Sequence, residues 1–170
     1  MLRKILSTNA DYGTFIARVT VGAILVPHGF QHALGLLGGY GFSGTLQWMT
    51  DTLGFPAPLA AIAIVTELIA PFALIFGLGG RVAALGIVGL MAGAASSHVQ
   101  NGFFMNWFGA LPSGTEGFEY HLLAIGLASA IVLNGSGAFS IDRLLLRNSR
   151  LADSSAISNG RLAPAGRRAA

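Results

Sequence analysis

The sequence predicts an all-α fold, a four-helix transmembrane bundle with a short outer interfacial helix and a disordered cytoplasmic tail. Hydrophobic residues make up 53% of the 170 residues and charged residues only 10%, against roughly 25% charged in an ordinary soluble domain. Apolar segments recur along the chain, each about as long as the 20 residues that a helix needs to cross a bilayer. The chain has no cysteine, which excludes disulfides, thiolate metal sites, iron–sulfur clusters and thiol catalysis.

Four apolar segments are the predicted membrane spans. Because lipid offers no hydrogen-bond partner to open backbone groups, each segment is expected to be a helix. The segments cover residues 13–37, 57–78, 82–99 and 118–133.

The connection between the first two spans predicts the outer interfacial helix. Apolar residues recur there at helical spacing, with Ser43 as the expected N-cap. They are Phe42, Leu46, Met49 and Leu53. Residues 1–147 are therefore predicted to form the membrane domain. Residues 148–170, rich in Ser, Ala, Gly and Arg, are predicted to be a disordered basic tail.

The ten Lys and Arg residues indicate the orientation of the chain in the membrane. They precede the first span, fall at Arg81 in the turn after the second, and follow the fourth, whereas none lies in 38–56 or 100–117. Arg18 lies just inside the first span. The positive-inside rule therefore predicts that both termini are cytoplasmic. The excess of basic residues does not indicate a nucleic-acid partner, because the sequence has no basic stripe with interleaved aromatic residues.

Ionisable residues inside the spans are the candidate functional residues, because a charge in lipid is costly. They are Arg18, His28, His32, Glu67, His98, Glu119 and His121. The predicted topology places all four histidines near the outer surface, on three helices. Three interpretations follow: separate, hydrated interfacial histidines; a shared polar pocket; or a metal or haem site, which would need converging imidazoles.

Glu67 is the deepest charge in the predicted bundle. Pro71 stands four residues later and cannot donate to the carbonyl of Glu67, which predicts a kink at the residue that carries the carboxyl group. A buried carboxyl is either paired or neutral. The alternatives are a structural pair between Glu67 and Arg18, or a ligand-binding or proton-transfer role for Glu67.

An ordered set of short motifs resembles the DoxX family over about residues 13–146. The set begins with Arg18 and Gly22, Pro27-His28-Gly29 with Gln31, and Gly35. It continues with residues 53–58 (LGFPAP), Glu67, Gly80-Arg81, His98, residues 101–104 (NGFF), Glu119-Tyr120 and residues 140–143 (SIDR). His32 stands where the family often has a lysine. The resemblance implies a four-helix protein of the inner cell membrane, linked in some relatives to quinone or oxidative-stress redox systems.

The first functional hypothesis is a membrane redox component that binds a quinone. Glu67 and His98 are the predicted catalytic residues. The predicted ligand-binding residues are Arg18, His28, His32, Glu119 and His121. No flavin or iron–sulfur motif occurs, so a soluble redox protein would supply the electrons. The alternatives are a scaffold that recruits such a partner, a haem or metal protein, and a small-solute transporter. Gly89 and Gly93 form a GxxxG pair that is compatible with a homo-oligomer.

Overall fold

Helices make up all the regular secondary structure of the computed structural model, which describes residues 6–112 and 114–148; those residues contain no β-strand. The helices are α1 (Tyr12–Gly29), α2 (Gly41–Asp51), α3 (Ala57–Phe76), α4 (Gly80–His98), α5 (Glu119–Asn134) and α6 (141–148). A π-helical turn, Phe30–Leu34, continues α1, and a 3-10 turn, Val99–Asn101, continues α4. The predicted disordered tail lies outside the described residues, apart from Asn148.

Three helical segments are long and apolar enough to cross a membrane, and they correspond to the first three predicted spans. They are Tyr12–Leu34, Ala57–Phe76 and Gly80–Asn101. The fourth predicted span is the apolar helix α5, which has 16 residues. At 1.5 Å per residue α5 is about 24 Å long, less than the roughly 30 Å of a hydrocarbon core. The all-helical membrane fold is therefore confirmed, and the fourth span stays a prediction.

Helix α2 occupies the connection where the interfacial helix was predicted, but it begins earlier. Ser43 lies inside α2, and the N-cap residue is Tyr40, so the prediction of Ser43 as the cap is wrong. The chain returns so closely to the π-helical turn that a Cβ at Gly39 would lie 2.2 Å from the carbonyl oxygen of Gln31. This close return lets α2 begin at Gly41, immediately beside the end of the first span.

The core lies among α1, α3, α4 and α5, where small and branched side chains interlock. Its buried members are Val21, Leu25, Ala70, Leu74, Ala84, Ile87, Met91, Ala124, Ala128 and Ile131. Helix α1 packs on α3 and α5, and α4 packs on the same two helices. The opposite faces of these helices expose apolar residues, as expected of helices surrounded by lipid.

Helices α1 and α3 approach each other most closely at two glycines of α1. A Cβ at Gly22 would lie 2.7 Å from the carbonyl oxygen of Pro71, and one at Gly29 would lie 2.6 Å from that of Glu67. Because Pro71 has no N–H, the Glu67 carbonyl has no partner within α3. Helix α3 runs unbroken through Pro71, and the freed carbonyl lies against the Gly29 backbone.

Candidate functional site

A cavity of about 610 Å³ lies between α2, α3, α4, the C-terminal end of α1 and the N-terminal end of α5. All four histidines of the chain border it. Its polar lining consists of His28, His32, Thr45, Glu67, Ser97, His98, Glu116, Tyr120 and His121, with Thr66 at its lipid side. The rest of the wall is mainly apolar and includes Trp48. Such a volume and such a mixture are typical of small-molecule sites.

His32 and Glu67 form an ion-pair contact in the wall of this cavity. The Nδ1 atom of His32 lies 2.6 Å from Oε2 of Glu67, whose side chain is only 10% exposed. His32 belongs to the π-helical turn, which follows Pro27. A π-helical turn changes the direction of the side chains that follow it, and such turns are frequent at functional sites. The contact joins two titratable groups, so a proton can pass between them.

His98 and His121 form a second contact at the outer end of the cavity. Their ring centroids lie 4.9 Å apart, with a tilt of 31° between the ring planes. The Nδ1 atom of His98 donates to the carbonyl oxygen of Glu116 at 2.7 Å. A neutral His98 therefore carries its free lone pair on Nε2, where it can accept a hydrogen bond.

Two buried polar atoms of the cavity lining have no hydrogen-bond partner. They are Oγ1 of Thr45, a residue that is 2% exposed, and Nδ1 of His121, which is 8% exposed. The His121 ring also lies close to the backbone of Phe118, but without the geometry of a hydrogen bond. Most buried polar atoms in proteins are hydrogen-bonded, because an unpaired one costs about 1–3 kcal/mol. Both residues border the same cavity. The arrangement therefore offers two hydrogen-bonding groups to a molecule inside it.

Arg18 lies at the other end of the bundle, away from the cavity, and is completely buried. It donates to the carbonyl oxygens of Leu74, Ile75, Ser136, Ala138 and Phe139. The predicted pair between Arg18 and Glu67 is wrong. Arg18 is level with Leu74, which lies seven residues, or about 11 Å, further along α3 than Glu67.

Glu119 holds the outer loop and does not border the cavity. Its Oε2 atom accepts from the backbone N–H of Met105 at 3.2 Å and from Nε1 of Trp107 at 3.1 Å. The neighbouring residues Glu116 and Tyr120 border the cavity instead, and sequence reasoning did not select them. The only feature of the sequence that could have indicated these two residues is their position, since both stand within five residues of His121.

His28 borders the cavity, is exposed, and has its ring 6.4 Å from that of His32. In the part of the chain that the structure describes, no group of three or more His, Asp or Glu side chains is arranged to hold a metal ion. The metal-site interpretation thus lacks a ligand set there. The described histidines instead have a carboxylate, a carbonyl and each other as neighbours.

A family model for DoxX matches residues 13–107, a stretch that contains α1 to α4 and most of the cavity wall. No curated protein and no solved structure matches the chain. The match covers more than half of the sequence, and the chain has the apolar spanning helices of a membrane protein. We conclude that this chain is a membrane protein of the DoxX family.

Proposed function

We propose that the protein is the membrane component of a quinone-linked redox system and that the cavity binds the quinone head. The observation that carries the proposal is the cavity itself, which has several hydrogen-bonding groups in the lining of an otherwise largely apolar chamber. A quinone is a flat apolar ring with a carbonyl oxygen at each end. In this proposal Thr45, His121 and the His32–Glu67 pair supply the hydrogen bonds to these two oxygens.

The titratable groups of the cavity suit the proton chemistry of a quinone. Reduction to the quinol adds two electrons and two protons, and a positioned acid or base assists each proton transfer. In this proposal the His32–Glu67 pair passes one proton to one ring oxygen, and the second proton reaches the other ring oxygen from water at the membrane surface. His98, through its free Nε2 atom, accepts a hydrogen bond from the quinol hydroxyl. Electrons come from a soluble redox protein, which docks at the membrane surface.

The predicted roles of Arg18 and Glu119 change in this proposal. Arg18 stabilises the inner end of the bundle and does not set the charge of Glu67. Glu119 positions the outer loop that closes over His98 through Glu116. Neither residue touches the bound molecule, and His28, at the rim, contacts only its exposed edge.

The proposal includes a topology of four spans in the inner cell membrane, with both termini cytoplasmic. Helix α5 covers the height of α4, because His121 stacks on His98 at one end and Arg81 donates to the carbonyl of Leu133 at the other. All four arginines in the described residues lie at this second end, as the positive-inside rule requires of a cytoplasmic face.

Tryptophan fluorescence tests the proposal, because Trp48 borders the cavity and Trp107 is the only other tryptophan. In a Trp107→Phe background, a tailless benzoquinone is expected to quench Trp48 saturably in detergent. Glu67→Gln should weaken this binding by about tenfold or more, since a hydrogen bond to a charged group contributes about 1.5–3 kcal/mol.

Glu119→Gln is the matched control, because it makes the same chemical change outside the cavity and its amide oxygen can still accept from the backbone N–H of Met105, the bond that remains in the Trp107→Phe background. Its quinone affinity should equal that of the parent protein. Absence of saturable quenching, or equal affinities for Glu67→Gln and the parent, would contradict the proposal. A haem band or a stoichiometric metal in the purified protein would favour the haem or metal alternative.

A further inference from the structure

The cavity is open along its side, between α3 and α4. Residues at this side opening are Leu59 and Ile62 of α3 and Leu85 of α4, which are 52%, 63% and 61% exposed. Both helices are long enough to span the membrane. Exposed apolar side chains on such helices face lipid, so the opening connects the chamber with the hydrocarbon layer.

The floor of the opening is the glycine stripe of α4. A Cβ added at Gly89 or Gly93 would meet no other atom within 4 Å, although both residues border the cavity. The GxxxG pair therefore does not serve close helix packing within the described chain, which is the usual use of this motif. It keeps a groove open that continues into the chamber containing Thr45 and His121.

The groove also has a direction. It follows α4 from Leu85 to His98, 13 residues or about 20 Å, and the α4 residues that line it are apolar from Leu85 to Ala94, with Ser97 and His98 at the other end. A lipid has the same polarity, with its head at the membrane surface and its tail toward the middle of the bilayer. The unpaired buried atoms of Thr45 and His121 mark the head end.

We infer that the ligand of this cavity is a tailed amphiphile, which enters sideways from the bilayer and lays its hydrocarbon tail in the groove over Gly89 and Gly93. The inference rests on the proposed function for the chemistry of the head, a quinone ring. It adds the access route, the tail and the role of the glycines. An isoprenoid tail and a straight alkyl tail present the same chemistry to such a groove.

The test compares a tailless benzoquinone with the same ring carrying a decyl tail, using Trp48 quenching in the Trp107→Phe background. Gly89→Leu and Gly93→Leu place a side chain in the groove, and both sites have ordinary helical backbone angles. Each variant should lose at least about tenfold in affinity for the tailed ring, which corresponds to two buried methylene groups. Affinity for the tailless ring should stay unchanged.

Gly126→Leu is the matched control, since Gly126 of α5 also has open space around a Cβ but lies outside the cavity. It should bind both rings as the parent does. Glu67→Gln, in contrast, should lower the affinity for the tailed ring and for the tailless ring by the same factor. This difference separates a failure of the groove inference from a failure of the proposed function.

Four outcomes decide the matter. If both glycine variants bind the tailed ring with unchanged affinity, the groove inference is overturned, but the proposal that the cavity binds a quinone head is not. A change of oligomeric state in Gly89→Leu also overturns it, because the stripe then packs against a second copy. If decanoate displaces the tailed ring and the tailless ring does not bind, the groove inference is supported and the proposal that the cavity binds a quinone head is overturned. If neither ring binds, both the groove inference and the quinone proposal are overturned.

Discussion

Arg18 is a buried cation whose hydrogen bonds all go to carbonyl oxygens, with the buried Asp142 carboxylate close enough to interact with it electrostatically. Its Nε and Nη atoms donate to the end of α3 and to the loop after α5, and the residue has no exposed surface. The last carbonyls of a helix have no partner in the helix and carry partial negative charge. The guanidinium therefore joins two elements and compensates unpaired backbone groups in one step.

Replacing Arg18 tests this role. Arg18→Lys keeps the charge but offers three donors on one atom, so it cannot reach carbonyls on both elements. We expect a loss of about 3 kcal/mol in the free energy of unfolding, measured by SDS titration in mixed micelles. Arg147→Lys, at an exposed position, is the control and should unfold like the parent. A loss below about 1 kcal/mol in Arg18→Lys would contradict the role.

Asp11 caps α1 and gives the protein an acid-sensitive contact outside the spans. Its side chain accepts from the hydroxyl and backbone N–H of Thr14 and from the backbone N–H of Gly13. The bond from the Thr14 hydroxyl, followed by that from its N–H, lowers the pKa of Asp11. A lowered pKa adds stability above the ordinary value, which is lost as the pH falls through the folded-state pKa.

The prediction for Asp11 concerns acid unfolding. Asp11→Asn keeps a capping oxygen but does not titrate, so its unfolding midpoint should depend less on pH below about pH 4 than that of the parent. Asp11→Ala loses the cap and should unfold at a lower temperature at every pH. Thermal unfolding in detergent between acidic and neutral pH measures both effects. Identical pH profiles for the parent and Asp11→Asn would refute the prediction.

At the scale of elements, the contact between α1 and α3 depends on Gly29. Its Cα lies against the Glu67 carbonyl that Pro71 leaves without a partner, and the π-helical turn carrying His32 begins at the next residue. A proline in one helix and a glycine in the other thus fix the distance at which His32 meets Glu67. The geometry of the candidate site is set by this backbone contact.

Gly29→Ala should lower the stability of the protein and also disturb the geometry of the candidate site. Its Cβ would lie 2.6 Å from the Glu67 carbonyl oxygen and 2.9 Å from Cα of Leu68, so the helices must separate. We expect a cost of about 1–3 kcal/mol in unfolding free energy, together with weaker quinone binding. Gly126→Ala, in open space, should be neutral or stabilising by up to about 1 kcal/mol. Equal stabilities for the two variants would show that α1 tolerates the added methyl group.

At the scale of the whole molecule, the chain's lack of cysteine makes the proposed topology easy to test. Phe108 in the outer loop is 97% exposed, and Arg147 in α6 is exposed at the opposite end. With four spans, an impermeant maleimide should label Phe108→Cys in intact cells and Arg147→Cys only after permeabilisation. Labelling of both in intact cells would mean that α5 does not cross the membrane.

Apolar runs allowed the sequence to predict the spanning helices closely, because membrane burial follows from composition alone. The second span, predicted at 57–78, is observed at Ala57–Phe76. The search for ionisable residues within the predicted spans also identified four histidines and one carboxylate of the cavity wall.

The contacts among these residues could not be predicted. The carbonyls around Arg18 come from backbone up to 121 positions away, and a carbonyl has no signature in a sequence. The direction of His32 depends on a π-helical turn, for which the sequence offered only Pro27. Thr45 lies outside the apolar stripe of α2 that sequence reasoning used, so its burial in the cavity wall was missed.

The position of the Arg18 partners has a consequence for biosynthesis. Three of its five acceptor carbonyls belong to Ser136, Ala138 and Phe139, which the ribosome adds long after α1 has entered the membrane. Until then the guanidinium has only the end of α3. The guanidinium is therefore fully solvated only after the loop that follows α5 has been synthesised, and a chain terminated before Ser136 lacks three of the five acceptors.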